Sequence, residues 1–485
     1  MTRKRLNIVL IFIVFSASLS SRQGMGAENP LNELVNRLER VDSVRYENVK
    51  YYCSAGSTDN INAISADSLL FNLRLDYQLF KSLKKLRFEG KLSTGYWRWA
   101  KSMMAEDKAQ AELLKEIKKT RDNLRFRGKL DLSLASTRDI LLNCRNLSDR
   151  LARMKGYEND FDLHFASLGV PREIIEPALD KLADALRPVI SEIYSETLQA
   201  YCLNTASAAD MIRYVNENGQ LYDGWFTREK SKRICYQFWR GIGFEETSDS
   251  MELIPCDNIF QSVDNNKGVY IRPPEIYILR GNGYSYYQRL IQGYGAAVTG
   301  ARLQASNQLR FIEEITNSAV EQFFYETATS VSYLCEHILM NKSYRGRYVK
   351  FQRYRELLDM FIDIWIAKAE LYRLKVNENK YPSIELDSGA RFLKGYISGD
   401  EDFEGKDFSR PFEALKRLFI RSASLDILRT FERQLGKPLY KNGGISVFVK
   451  NNLFRGNSGD DSGSNLQKVG INPFDISSLI DYYGF

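Results

Sequence analysis

The chain has 485 residues, 44% of them hydrophobic and 27% charged, with a formal net charge of +7 at neutral pH. That length supports a large core, or two lobes sharing one cleft, and the composition is that of an ordinary globular protein. Removing Arg3, Lys4 and Arg5 with a leader takes the charge from +7 to +4, or to +3 where Arg22 leaves with it, a near balance that argues for neither nucleic acid nor an anionic surface as partner.

Met1 to Arg5 is basic, and Leu6 to Phe15 is a short apolar run followed by the small-residue pattern Ser18-Leu19-Ser20, with Gly24-Met25-Gly26 as the alternative cleavage point. This reads as a signal peptide over residues 1–26, which places the mature chain in a secreted or periplasmic location. An uncleaved N-terminal anchor is the alternative. No second apolar segment follows, so no membrane span is expected after cleavage.

Residues 27–245 read as an N-terminal helical region. A short helix is expected over Asn29–Leu38, then amphipathic helices over Asp67–Leu86, Asp107–Leu124, Thr137–Lys155, Pro171–Tyr201 and Trp225–Gly243, with the segment 90–99 between the second and third. Pro171 suits a first helical turn, Pro188 predicts a kink, and Gly241-Ile242-Gly243 a C-cap. From Met251 to Leu279 short β-type pieces alternate with turns such as 264–268, predicting a small sheet at the start of a second region, 246–485. The stripe Val320, Phe324, Thr327, Val331, Leu334, Ile338 and the stripe Phe351, Tyr354, Leu358, Phe361, Trp365 have helical spacing and read as core. Residues 387–411 and 455–465 read as loops.

Six cysteines (Cys53, Cys144, Cys202, Cys235, Cys256, Cys335) are scattered without a C-x-x-C pair. In an oxidising compartment they permit up to three disulfides with a pairing that spacing does not give; buried free thiols are the other reading.

The informative stretch is Tyr286 to Ala297 (YYQRLIQGYGAA). In an H-E-x-x-H helix two histidines four residues apart share a face and bind zinc, and the glutamate beside the first takes a proton from the metal-bound water. Here Gln292 and Ala296 stand in the histidine places and Gly293 in the glutamate place. The strand-like run Ile271–Leu279 precedes it, Asn317-Ser318-Ala319-Val320-Glu321 follows, and Glu336-His337 comes later. This order resembles the thimet-oligopeptidase-like zinc metallopeptidases. Arg138–Gly169, Leu418–Leu425 and Asn465–Leu479 resemble further stretches of that family, although Phe419 stands where the family has a tyrosine.

The resemblance implies a mostly α, two-lobed helical zincin-like fold with a small β-sheet before the vestigial helix and a deep central cleft. It implies a zinc cofactor, with a third ligand about 25 residues beyond the second histidine; that place falls on Glu321 (321 − 296 = 25), with Glu326 as a second candidate. It also implies an edge strand that grips substrate backbone, and a tyrosine-bearing loop for which Tyr396 is the available residue.

The residues at hand do not supply that cofactor's ligands. The chain has two histidines, His164 and His337, and His337 lies 16 positions from Glu321, which on one continuous helix is about 24 Å. Both read as structural. No G-x-S-x-G occurs, and Gly281-Asn282-Gly283 reads as a turn rather than a phosphate loop. The expectation is a degenerate member with no catalytic residue and no metal. Gln292, Gly293, Ala296 and Glu321 become vestigial positions on a cleft floor that binds peptides or a protein partner. Glu321, without a cation beside it, is expected to find a basic residue, a hydrogen-bond network or a raised pKa. An active metallopeptidase with a different ligand set and a helical structural or assembly protein are the alternatives.

Overall fold

The computed structural model describes residues 29–55, 61–92, 94–125, 135–168, 172–257, 269–272, 274–305, 314–338, 342–378, 413–454, 464–476 and 478–483. The leader at 1–26, Pro171, the turn at 264–268, the loop at 387–411 with Tyr396, and the 455–463 part of the last loop lie outside them.

The first helix, α1 (Pro30–Ala55), is far longer than the expected 29–38, because Val41 and Val49 continue the buried face begun by Leu34 and Leu38. The single helix expected over 67–86 is two, α2 (Ile61–Arg74) and α3 (Tyr77–Phe88). Asp76 separates them: its Oδ1 accepts from the Leu79 backbone N–H at 2.9 Å and caps the second. The segment read as a spacer holds α4 (Thr94–Met103). Next come α5 (Lys108–Arg125), α6 (Ala135–Met154), α7 (Asp160–Leu168) and α8 (Arg172–Tyr201), which continues as one helix past Pro177 and Pro188. In α9 (Ala208–Gly219) Ser207 and Asp210 form a capping box. A 3₁₀ turn (Asp223–Trp225) leads to α10 (Arg228–Gly241), which begins on Thr227 and ends at Gly243 with φ +85.

After α11 (Glu245–Ser250), β1 (Glu252–Cys256), β2 (Val269–Arg272) and β3 (Glu275–Leu279) form one sheet in the order β1-β3-β2. β1 runs parallel to β3 with Ile254 opposite Tyr277, and β2 runs antiparallel to it with Ile271 opposite Ile276. Pro255 sits in β1, at an edge, where its missing N–H costs no ladder bond. The C-terminal helices are α12 (Gly283–Ala305), α13 (Glu314–Thr329), α14 (Val331–Ile338), α15 (Lys342–Glu378), α16 (Glu413–Leu435), α17 (Gly444–Phe448), α18 (Ser464–Lys468) and α19 (Ser478–Tyr483). The stripe read from Val320 to Ile338 as one face is broken at Ser330, whose Oγ accepts from the Tyr333 N–H and starts α14.

Two large cores result. One joins α10, the sheet, α12 and α13 around Trp239, Phe238, Tyr287 and Phe324; the other joins α8, α9, α15 and α16 around Leu182, Leu357 and Phe419. Each fully buried large apolar side chain contributes roughly 1.5–3 kcal/mol. A cleft runs between them, with Leu221 and Tyr284 on one wall and Val215 and Leu358 on the other. This is the mostly helical, two-lobed arrangement with a central cleft that the resemblance implies.

Of the six cysteines, Cys53 and Cys256 form a disulfide that ties α1 to β1, while Cys144 and Cys235 are buried thiols, Cys335 is half-buried and Cys202 exposed. Tyr46 reinforces the tie by donating to Glu275 Oε2 at 2.6 Å. Among the described residues no helix is long and apolar enough to cross a membrane.

Candidate functional site

Helix α12, which carries Gln292, Gly293 and Ala296, is fixed at its start by Asp223, sixty-one positions before Tyr284. Gly283 has φ +83, a conformation that favours glycine, and its carbonyl-side neighbour Tyr284 donates its backbone N–H to Asp223 Oδ1 at 2.9 Å. Asp223 thus satisfies one of the orphan donors of α12 from the preceding 3₁₀ turn. A Cβ on Gly283 would collide with that same carboxylate.

From there α12 runs antiparallel to α13. Tyr287 donates its hydroxyl to the Ala328 carbonyl at 2.8 Å, Gln288 Nε2 donates to the Tyr325 hydroxyl at 2.5 Å, and Thr299 Oγ1 donates to Glu321 Oε1 at 2.6 Å. Gly295, Ala296 and Ala297 make the close approach practicable: a Cβ at Gly295 would lie 3.9 Å from Glu321 Cα, in ordinary van der Waals contact. The third-ligand place, Glu321, therefore does face the second-histidine turn of α12. Gln292 and Glu321 are half-buried, and Gly293 and Ala296 are buried.

Zinc does not fit this set. Gln292 offers one neutral amide, Gly293 and Ala296 offer no side-chain donor, and one oxygen of Glu321 is already engaged by Thr299. Among the described residues no group of three or more His, Cys, Asp or Glu side chains is arranged to hold a metal ion. Glu321 accepts one hydrogen bond, from Thr299, a residue the sequence pattern did not single out.

Glu326, the second ligand candidate, points elsewhere. Its carboxylate accepts from Gln322 Nε2 at 2.9 Å and from Ser424 Oγ of α16 at 2.8 Å. Burial pushes its pKa up to about 7, against the two hydrogen bonds that favour the charged form. It belongs to a cluster of carboxyl groups carried by α13 and α15 beside Arg421 of α16. Asp363 Oδ1 accepts from both Nη2 and Nε of Arg417, at 2.6 and 2.9 Å, and Asp363 is still raised by burial to about 6. Burial likewise raises Glu356 and Asp359. Arg421, which burial alone would disfavour as a cation, is held protonated by Tyr483, Asp359, Asp363 and Glu356.

His337 lies on α14, a different helix from Glu321, so the single-helix spacing does not apply. It is half-buried, with its ring 4.3 Å from Tyr333, and burial lowers its pKa. Its neighbour Glu336 accepts from Tyr440 at 2.9 Å and pairs with Lys441 at 2.6 Å. His164 lies on α7 with Nε2 3.8 Å from Asp160.

The cleft itself has a volume of about 530 Å³. It is lined by Gln288, one turn before Gln292 on the same helix face, by Tyr284, and by Arg355 and Asp359 of α15; contrary to expectation, Gln292, Gly293, Ala296 and Glu321 do not line it, because they sit packed between α12 and α13. Sequence reasoning missed Arg355 and Asp359. The only signal is their i,i+4 spacing, which places them on one face beside the apolar stripe of α15, where charges pass for a solvated surface.

No protein-family model matches the chain, and no curated protein matches it either. Solved structures do. PZ peptidase A with an inhibitor superposes with a TM-score of 0.55 at 11% identity, covering 92% of this chain and 96% of that one. A Bacillus anthracis (strain Ames) protein assigned as an oligoendopeptidase F gives 0.54 at 12% identity, covering 92% and 89%. Trypanosoma cruzi metallocarboxypeptidase 1 gives 0.53 at 11% identity, covering 93% and 99%. The chain has the zincin-like oligopeptidase fold over nearly its whole length; at such identities the likeness speaks to fold alone.

Proposed function

We propose that this chain is a pseudopeptidase: a secreted or periplasmic protein that uses an oligopeptidase fold to bind peptides, or a protein partner, in its central cleft without hydrolysing them and without zinc. One observation carries the reading. Where the fold would bring two imidazoles and a carboxylate around a metal, the chain has an amide, a methyl group and a carboxylate already hydrogen-bonded to Thr299. The leader pattern at 1–26 supports the location, and the Cys53–Cys256 disulfide agrees with an oxidising compartment.

Loss of the metal removes the Lewis acid and the activated water, yet leaves the cleft and its polar wall. Binding energy spent on ground-state contacts then produces a receptor rather than a catalyst. The test is an internally quenched peptide library incubated with the purified mature chain, with added zinc and with chelator, alongside binding measured on the same sample. Binding without chelator-sensitive cleavage is expected. Cleavage that chelator abolishes establishes an active metallopeptidase instead.

A further inference from the structure

The wall contributed by α15 presents two charged side chains to the cleft, Arg355 and Asp359, which attract each other without forming a hydrogen bond or a close ion pair. Arg355 Nε is buried and has no hydrogen-bond partner. Neither side chain makes a hydrogen bond or an ion pair with another described residue. A guanidinium held this way in a partly enclosed wall is incomplete: its fork matches a carboxylate, which it would hold with paired charge-assisted bonds. Asp359 stands among the carboxyl groups of Glu356 and Asp363 and the guanidinium groups of Arg355, Arg417 and Arg421, and burial pushes all three carboxyl groups toward their neutral forms.

We infer that the cleft is a binding site for a short zwitterionic peptide, with its C-terminal carboxylate on Arg355 and its ammonium group beside Asp359. This rests on the peptide-binding reading above and names its ligand. Positions i and i+4 on a helix stand about 5–6 Å apart at Cβ. An extended chain rises about 3.3–3.6 Å per residue, so a peptide of two or three residues carries its charges roughly 7–10 Å apart. That separation suits two side-chain tips on neighbouring turns, whereas a free amino acid carries both charges on one Cα. Gln288 and Ser285 on the opposite wall supply neutral polar groups for the peptide's amides.

The experiment is calorimetric titration of the mature chain with trialanine, trialanine amide, N-acetyltrialanine, alanine and an alanine-rich decapeptide. Trialanine should bind, and amidation or acetylation should each weaken it about tenfold or more. Arg355→Met should bind trialanine and its amide equally weakly, Arg355→Lys should recover part of the preference, and Asp359→Asn should lose the penalty for acetylation. Circular dichroism melts establish that each variant is folded. Equal affinity for acid and amide, or a folded Arg355→Met that keeps the preference, overturns the inference, as does alanine binding as tightly as trialanine. If the decapeptide binds uncleaved and trialanine does not, the two-charge site is wrong while peptide binding stands. If no peptide binds at all, the pseudopeptidase reading itself fails.

Discussion

Thr299 Oγ1 lies 2.6 Å from Glu321 Oε1, close enough to be the principal acceptor for that hydroxyl, and this contact gives Glu321 a partner that is not a cation. The Ala296 and Gly295 carbonyls, at 3.1 and 3.3 Å, are the weaker competitors one turn back on the same helix. Thr299→Val would leave a half-buried carboxylate without its donor, and a loss of about 1–3 kcal/mol is expected by chemical denaturation. Thr299→Ser should be close to neutral. A neutral valine variant would mean that Glu321 is held by something else.

Glu326 titrates in the folded chain near pH 7, raised from 4.5 by burial. The folded state then binds more protons than the unfolded state between those values, so the stability contributed by this group is full below about pH 4.5 and is lost as pH rises through 7. Glu326→Gln keeps the shape and removes the charge. It should stabilise the chain at pH 8 by on the order of 2 kcal/mol and have little effect at pH 4.5, read as the shift of the urea midpoint at the two pH values. An equal shift at both would contradict a protonation effect.

Gly283→Ala should cost about 2 kcal/mol or more. The new methyl group combines the strain of a positive φ with a collision against Asp223, the side chain that caps α12. Thermal unfolding measures the loss. An alanine variant as stable as the parent would contradict the way the helix is anchored.

Reduction of Cys53–Cys256 opens a covalent loop with a sequence separation of 203 residues. A loss of about 3–5 kcal/mol is expected on the chain-entropy model. Amide exchange should rise in α1 and β1, which the bond joins, while α12 and α13 stay protected. Uniform protection after reduction would show that Tyr46, Glu275 and the apolar contacts suffice.

Much of this fold is legible in the chain's periodicity, because its helices are long and amphipathic. The helices over 107–124, 137–155 and 171–201 and the sheet after Met251 stand where the pattern puts them. The breaks are less legible. Asp76 and Ser330 each start a new helix with one side-chain hydrogen bond, and neither interrupts the apolar period enough to be seen without coordinates. The frame proposed at 292–296 was readable because H-E-x-x-H has a rigid spacing and recognisable flanks. Arg355, Asp359 and the carboxyl cluster were not: their meaning depends on α13, α15 and α16 meeting in space, and along the sequence they pass for the solvated face of a helix.

The most direct test of the central claim is metal analysis of the purified mature chain after equilibration with zinc, beside the triple variant Gln292→His, Gly293→Glu, Ala296→His. Expected are well under one equivalent of zinc in the natural chain and one equivalent in the variant, whose restored imidazoles meet Glu321 across α12 and α13. Stoichiometric zinc in the natural chain, or a folded triple variant that takes up none, would contradict it.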